Sequence, residues 1–187
     1  MTEKRLEYPF EKEKLKDLKA GDSVLITGTI YTARDEAHRR IVEMIRRGEE
    51  LPFEIKDAII YYAGPAPAKP GQVIGPVGPT TSYRMDPYAP VLLDLGLSGM
   101  IGKGPRSREV KDAVVRNGAV YFAAIGGAAA LIARSVVSAE TIAFEDLGAE
   151  AVRRLQVKDF PATVVIDPEG NDQYYLGRNE YLNKKRE

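Results

Sequence analysis

The sequence predicts a single α/β domain in which a mixed, largely buried core sheet is flanked by helices. A length of 187 residues suits one domain with one substantial core. Several short runs are apolar at every position, as is typical of strands covered on both faces, and they alternate with segments of helical periodicity. A turn sequence near the end, Asp167 to Gly170, indicates a terminal hairpin and therefore some antiparallel pairing.

The first half of the chain alternates strand and helix signals. Ser23 to Ile30 (SVLITGTI) is apolar and rich in β-branched residues, which predicts a buried strand. The next segment carries apolar side chains at helical spacing, so we expect an amphipathic helix, Asp35 to Arg47, that ends at Gly48. Ala58 to Ala63 (AIIYYA) predicts another strand, and the proline-rich segment after it, Gly64 to Gly71, excludes regular structure.

The second half continues this alternation. The predicted elements are an extended segment over Val73 to Thr81, helices over Tyr88 to Leu95, Ser107 to Asn117, Ala128 to Arg134 and Ala149 to Leu155, and strands over Gly99 to Gly102, Val120 to Ile125 and Thr141 to Phe144. Gly126 and Gly127 predict a tight turn before the alanine-rich helix. The whole chain, 1–187, is expected to be one domain, with a peripheral arm over residues 1–20 and a peripheral tail over residues 178–187.

Composition excludes several function classes. Lys plus Arg and Asp plus Glu both number 27, so no net charge directs the protein to nucleic acid or to an anionic membrane. The absence of cysteine excludes disulfides, thiolate nucleophiles and cysteine ligands to an iron-sulfur cluster, and a single histidine excludes a multi-histidine metal site. The charged start, MTEKRLEYPFEKEK, is unlike a signal peptide, so we expect a cytoplasmic protein.

Three short polar segments follow apolar runs and carry the candidate chemistry. They are TARDEAHRR (Thr32 to Arg40), GPTTSYRMD (Gly78 to Asp86) and GKG (Gly102 to Gly104). Together they supply the hydroxyls of Thr80 and Thr81, two guanidinium groups and one ammonium group. These groups suit a site that binds a small dianion and moves one of its protons, which points to a dicarboxylate.

Each candidate also has a plainer interpretation. Arg34 stands at a strand-to-helix junction, where ligands gather in α/β sheets, but it could equally pair on the surface with Asp35 or Glu36. His38 shares the apolar helix face, so a packed or supporting histidine is favoured over a catalytic base. Gly126 and Gly127 could bind a phosphate, yet on this apolar stretch tight packing is favoured.

The two threonines carry the same ambiguity. Thr80 and Thr81 could form a simple hydroxyl-capped turn. A threonine can transfer a proton only where cations stabilise its alkoxide, so Arg84 and Lys103 decide whether Thr80 has a catalytic role. Lys103 is flanked by glycines, but GKGPRS lacks the spacing of a phosphate-binding loop.

These motifs resemble those of a known family, the β subunit or C-terminal domain of the class I iron-sulfur hydro-lyases, which include fumarate hydratase and L-tartrate dehydratase. The resemblance covers nearly the whole chain. It runs through the stretches GTIYTARDEAHRR, AIIYYAGP, GPVGPTTSYRMD, GKG and DLGAEAVRRLQVKDFPATVVIDPEGND. The pair formed by GPTTxxRMD and an upstream RDxAH is its most specific feature.

The resemblance implies a swivelling β/β/α domain that acts with a larger α subunit, whose cysteines bind a [4Fe-4S] cluster. It also implies roles for individual residues. Arg34 corresponds to an arginine that grips a substrate carboxylate, Thr80 to the catalytic base, and Arg84 and Lys103 to further substrate contacts. A hetero-oligomer is expected, or a homo-oligomer when the chain is isolated.

Three other residues complete the implied site, and one departs from the family pattern. Thr81 is expected among the substrate-binding residues, with Asp35 and His38 supporting them from behind. Tyr83 stands where the family often has a small residue. Its ring could narrow the pocket or pack against the partner subunit.

Three functional hypotheses follow. The first is the β subunit of a fumarate hydratase, which adds water reversibly to fumarate to give L-malate. The second is the β subunit of an L-tartrate dehydratase, whose substrate is a similar four-carbon dicarboxylate. The third, from another class, is a non-catalytic module that binds a dicarboxylate or a protein partner without turnover.

Overall fold

The computed structural model describes residues 3–124 and 128–184. The predicted Gly126-Gly127 turn and the end of the strand predicted over Val120 to Ile125 lie outside these ranges. The strands are β1 (Lys4–Glu7), β2 (Ser23–Thr32), β3 (Ile59–Tyr61), β4 (Gly99–Gly102), β5 (Val120–Ala123), β6 (Val136–Ala143) and β7 (Val152–Ile166). The helices are α1 (Lys12–Leu15), α2 (Asp35–Arg47), α3 (Ala89–Asp94), α4 (Arg108–Asn117), α5 (Ala129–Arg134) and α6 (Gln173–Lys184), with short 3₁₀ segments over Ser82–Met85 and Glu145–Glu150.

The strands form one mixed sheet in the order β1-β2-β3-β4-β5-β7-β6. The pairs from β1 to β5 are parallel, whereas β7 runs antiparallel to both β5 and β6. Strand β7 also pairs antiparallel with β2, so five strands close into a ring. The prediction of a mixed α/β sheet is therefore confirmed.

Side chains on the two sides of the ring build two apolar cores. Along β3, Ile59 and Tyr61 belong to the core enclosed by the ring, whereas Ile60 belongs to the core between the ring and the helices α2, α3 and α4. All three side chains are fully buried. Burial on both faces explains why the strands read as continuous apolar runs.

The best-predicted helix is α2, whose bounds match the prediction. Gly48 follows it with a φ of 67°, and its amide donates to the carbonyl of Ile45 at 3.1 Å. The first turn is acidic and the last is basic, which suits the helix dipole. In the described part of the chain every helix is too short or too polar to span a lipid bilayer.

One prediction near the C-terminus is wrong, and another is confirmed only in part. The helix expected over Ala149 to Leu155 is instead the end of a 3₁₀ segment followed by the 15-residue strand β7. A turn does form after β7, where the amide of Gly170 donates to the carbonyl of Asp167 at 2.9 Å. The predicted hairpin is limited to a single antiparallel bridge between Ile166 and Asp172. The chain then enters α6, at whose start Asp172 Oδ1 accepts from the amide of Tyr174 at 3.0 Å.

The peripheral arm predicted over residues 1–20 is also wrong for the described residues. Strand β1 pairs with β2, and the segment that follows contributes buried side chains to the core inside the ring. These core residues are Leu6, Phe10, Leu15 and Leu18. By contrast, Arg178, Asn179, Tyr181 and Leu182 in the predicted tail are exposed.

Candidate active site

The three polar segments meet at one edge of the sheet. Strands β2, β3 and β4 are parallel neighbours, so their carboxyl ends lie side by side. The first segment starts at Thr32, the last residue of β2, and the third segment starts at Gly102, the last residue of β4. The middle segment reaches the end of β3, because the amide of Thr80 donates to the carbonyl of Tyr62 at 2.8 Å. This edge is where α/β sheets collect ligands.

The second and third segments are bonded directly to each other. Thr81 and Lys103 form a parallel β-bridge. The amide of Ser82 donates to the carbonyl of Lys103 at 2.9 Å, and Ser82 Oγ accepts from the amide of Lys103 at 3.1 Å. A Cβ atom on Gly102 would stand 2.0 Å from Ser82 Oγ, so only glycine fits there.

Buried side chains tie these two segments together from below. The carboxylate of Asp86 accepts from Arg106 Nε at 2.7 Å and from the amide of Ser107 at 2.7 Å. The side chain of Arg106 is fully buried, and its guanidinium stacks 4.8 Å from the ring centre of Tyr121. The Tyr121 hydroxyl lies 2.9 Å from Ser82 Oγ and donates to the carbonyl of Gly104 at 2.8 Å. The two segments therefore form one fixed unit.

This unit presents two cations and two hydroxyl groups. Arg84 and Lys103 are exposed, and within the described ranges neither forms an ion pair. Thr80 and Thr81 are half-buried. Tyr83 is 60% exposed, so its ring does not fill a pocket within this chain. The structure thus brings the backbone segments that carry four of the predicted site residues together, with two exposed cations among them.

Arg34 lies on the neighbouring strand end in a different environment. Its Nη2 atom is 2.9 Å from Glu150 Oε1, and its Nε atom is 3.9 Å from Asp35 Oδ1. Glu36, the other partner considered from sequence, instead pairs with Arg39 and Arg40. Arg34 is therefore compensated by carboxylates, unlike Arg84 and Lys103.

His38 is fully buried behind Arg34. Its Nδ1 atom lies 2.7 Å from the carbonyl oxygen of Arg34, so Nδ1 carries the proton and donates. Its ring packs edge-on against Tyr62, with ring centres 5.2 Å apart. Burial lowers the pKa of His38 to about 4. A neutral, buried imidazole supports the backbone at Arg34 and does not face solvent.

Sequence reasoning missed the residues that hold the site together. They are Ser82, Asp86, Arg106, Tyr121 and Glu150. Ser82 and Asp86 had a signal, since both lie in the GPTTSYRMD segment. The others lie in contacts between distant segments, which sequence spacing does not reveal.

Two cavities among the described residues lie apart from the predicted site residues. Cavities of about 440 and 460 Å³ lie beside the proline-rich segment and share Val73 and Ile74 as walls. Neither is lined by Arg34, Thr80, Arg84 or Lys103. The predicted site residues therefore lie outside these two cavities.

Comparison with known proteins shows the family of the chain. The sequence model described as Fumarase C-terminus matches residues 2–176. The chain belongs to this family. Fumarate hydratase 2 of Leishmania major is 43% identical over 173 residues, which cover 90% of this chain and 30% of that protein. Class I anaerobic fumarate hydratase of Escherichia coli K12 is 46% identical over 149 residues, covering 79% of this chain and 27% of that protein.

A relative of similar length carries a different name. The "Putative L(+)-tartrate dehydratase subunit beta" of Methanocaldococcus jannaschii is 43% identical over 189 residues, covering 96% of this chain and 94% of that protein. This Fumarase C-terminus domain thus spans about 30% of the length of the fumarate hydratases and nearly all of the M. jannaschii protein. The chain is homologous to both, and hence to a hydro-lyase family.

Proposed function

We propose that this domain is the β subunit of a two-subunit [4Fe-4S] hydro-lyase that hydrates fumarate reversibly to L-malate. One observation carries the proposal. The segment that carries Thr80 and Thr81 is paired with the segment that carries Lys103, and Lys103 and Arg84 are exposed cations that have no carboxylate partner within the described ranges. Hydroxyl groups next to uncompensated cations suit both binding a dicarboxylate and moving a proton.

Substrate binding is assigned to the cations. Arg34 grips one carboxylate, and Arg84 and Lys103 contact the substrate from the adjacent loops. Charge-assisted hydrogen bonds of this kind are about twice as strong as neutral ones, so they supply most of the binding energy from this side. Thr81, joined to Lys103 by the β-bridge, adds a hydroxyl contact.

Proton transfer is assigned to Thr80. Hydration and dehydration require a proton on the carbon next to a carboxylate to be added or removed. Negative charge then develops on that carboxylate, and the positive field of Arg84 and Lys103 stabilises it. The same field favours the alkoxide form of Thr80, which a threonine base requires. The complementary acid is assigned to the partner subunit.

The residues of this chain do not fit the cluster itself. Iron-sulfur clusters are held by cysteine thiolates, and the chain has no cysteine. In the described part of the chain, His, Asp and Glu nowhere gather in threes around a common metal position. We therefore assign the cluster to a cysteine-bearing α subunit and give this chain carboxylate binding and proton transfer only.

L-tartrate is the second candidate substrate. It is favoured by the M. jannaschii relative, which has nearly the same extent as this chain and is named as a tartrate dehydratase subunit. Tartrate differs from malate by one hydroxyl group, and the cations described above would bind either dianion. The site residues alone do not discriminate between them.

Anaerobic reconstitution with the candidate α subunit tests the proposal. Fumarate, L-malate and L-tartrate are assayed side by side with the wild-type chain and with Thr80→Ala, using the solvent-exposed Thr141→Ala as the matched control. We expect turnover of one substrate pair by the wild type and the control, and none by Thr80→Ala. Dicarboxylate binding without turnover in every assembly would instead support the non-catalytic module.

A further inference from the structure

The guanidinium group of Arg34 lies between two carboxylates of its own chain. Its Nη2 atom forms an ion pair with Glu150 Oε1 at 2.9 Å, whereas the nearest oxygen of Asp35, Oδ1, lies 3.9 Å from Nε. Both Arg34 Nε and Asp35 Oδ1 are buried and have no hydrogen-bond partner among the described residues. Glu150 therefore makes the direct contact that fixes this guanidinium.

Glu150 is itself held in place by a clamped segment. It ends the 3₁₀ segment Glu145–Glu150, which Arg40 fastens to α2 by donating to both carboxylate oxygens of Asp146, at 2.9 and 2.7 Å. From the other side, Arg153 donates to the carbonyls of Gly148 and Ala149 at 2.9 and 3.0 Å. The backbone that carries Glu150 is thus held in place by these bonds.

Gly64 lies close to both Arg34 and the backbone that leads to Glu150. A Cβ atom there would lie 2.9 Å from the carbonyl oxygen of Ala149 and 3.3 Å from Cδ of Arg34. The stem of Arg34 and the backbone before Glu150 therefore pack against the same glycine. The arginine side chain has little room for another arrangement.

We infer that Glu150 is a positioning residue, which orients Arg34 so that its remaining donors meet a substrate carboxylate. This inference rests on the proposed function. A guanidinium carries five N–H donors, and Glu150 engages one nitrogen, so the Nη1 donors remain for an incoming carboxylate. Arg84 and Lys103 supply attraction without a fixed direction, whereas Arg34 supplies direction, because its rotamer is set before the substrate arrives.

The kinetic test uses the chain assembled with its cysteine-bearing partner. We expect Glu150→Ala to raise KM for the dicarboxylate by at least about tenfold, because a misplaced Arg34 loses one charge-assisted contact to the substrate, with a smaller fall in kcat. Glu150→Gln keeps an acceptor oxygen in a side chain of the same shape, so its KM should lie between that of the wild type and that of Glu150→Ala. The matched control is Glu140→Ala, which removes a glutamate from an exposed pair with Arg154 and should leave KM unchanged. An unchanged or lower KM in Glu150→Ala would overturn the inference, because Glu150 would then be a bystander or a competitor for Arg34.

A spectroscopic readout separates orientation from activity. The Nε–H resonance of Arg34, assigned by its loss in Arg34→Lys, should exchange slowly with water in the wild-type chain because this nitrogen is buried. It should exchange faster in Glu150→Ala and remain slow in Glu140→Ala. Slow exchange in Glu150→Ala would show that something other than Glu150 fixes the guanidinium, and the inference would fall.

The Arg34→Ala variant distinguishes a failure of the proposed function from a failure of the role of Glu150. If it leaves KM unchanged, the role of Arg34 in the proposed function fails. If it raises KM while Glu150→Ala does not, only the role of Glu150 fails.

Discussion

Replacing Asp86 by alanine should both destabilise the fold and loosen the site. Asp86 joins the segment that carries Thr80 to the segment that carries Lys103, through Arg106 Nε and the amide of Ser107, both at 2.7 Å. The Asp86 side chain is 12% exposed, and that of Arg106 is fully buried. Removing the carboxylate leaves a buried guanidinium without its anion.

The size of the effect follows from that burial. Breaking a buried ion pair by removing one partner costs about 3–5 kcal/mol, because the remaining charge is not solvated. At about 2–4 °C per kcal/mol for a domain of this size, Tm should fall by roughly 6–20 °C. The hydroxyl of Tyr62, 3.4 Å from Arg106 Nη2, is too weak an acceptor to replace the carboxylate.

Urea denaturation of the isolated chain measures the loss, and Asp94→Ala is the matched control. Asp94 accepts from Arg116 Nε and Nη2 at 2.8 and 2.9 Å, a similar geometry, but both side chains are half exposed. Solvent screens that pair, so its loss should be much smaller. Equal losses of unfolding free energy in Asp86→Ala and Asp94→Ala would refute the reasoning that burial of Arg106 sets the cost.

Three further predictions concern single residues. Thr80→Ala should abolish turnover of the assembled enzyme while leaving substrate affinity nearly unchanged, since the cations supply the binding energy. Isothermal titration measures the affinity and steady-state kinetics measure the turnover. A loss of both would contradict the assignment of binding to the cations and proton transfer to Thr80. Lys103→Gln should raise KM for the dicarboxylate and weaken its dependence on salt, because an exposed charge has been removed; an identical salt profile would argue against a substrate contact. For His38, burial lowers the pKa in the folded state to about 4, below its ordinary value of 6.5. As the pH falls, the unfolded chain therefore takes up the proton first. The free energy of unfolding should decrease between about pH 6.5 and pH 4, by up to about 1.4 kcal/mol per pH unit. The His38→Asn variant should flatten that slope in urea titrations, and a slope equal to the wild type would contradict the assignment.

Much of the fold could be predicted because local signals agreed with the tertiary structure. The helix over Asp35 to Arg47 has an apolar face, charged ends suited to its dipole and a glycine that ends it. Ser107 caps α4 with its hydroxyl, which accepts from the amide of Val110 at 3.3 Å. Strand β4 was predicted at its observed bounds, since it is apolar between polar neighbours.

The start of strand β7 was mistaken for a helix because its buried residues do not alternate simply along the strand. Val152 belongs to the core under the helices, and Leu155 belongs to the core inside the ring. Their spacing of three mimics one face of a helix, although the residues point to opposite sides of a strand. The register of β7 against β2 also shifts between Ile26 and Gly28, where Asp159 adopts a φ of 53°. Such a bulge breaks the alternation that marks a strand.

The same error concealed part of the candidate site. A helix over Ala149 to Leu155 would have carried Glu150 on its first turn, whereas in the structure this residue ends a turn that packs against α2. The cations and hydroxyls of the site were visible in the sequence because they cluster in three short segments. The residues that support them, such as Asp86 and Arg106, meet through long-range contacts. Sequence spacing does not reveal such contacts.

The bonds that join the loop containing Thr80 to the loop containing Lys103 also affect the entropy of ligand binding. Backbone pairing and the buried Asp86 carboxylate immobilise both loops when the chain folds. A ligand that settles there therefore has little backbone freedom left to remove, and the corresponding penalty does not reduce its affinity.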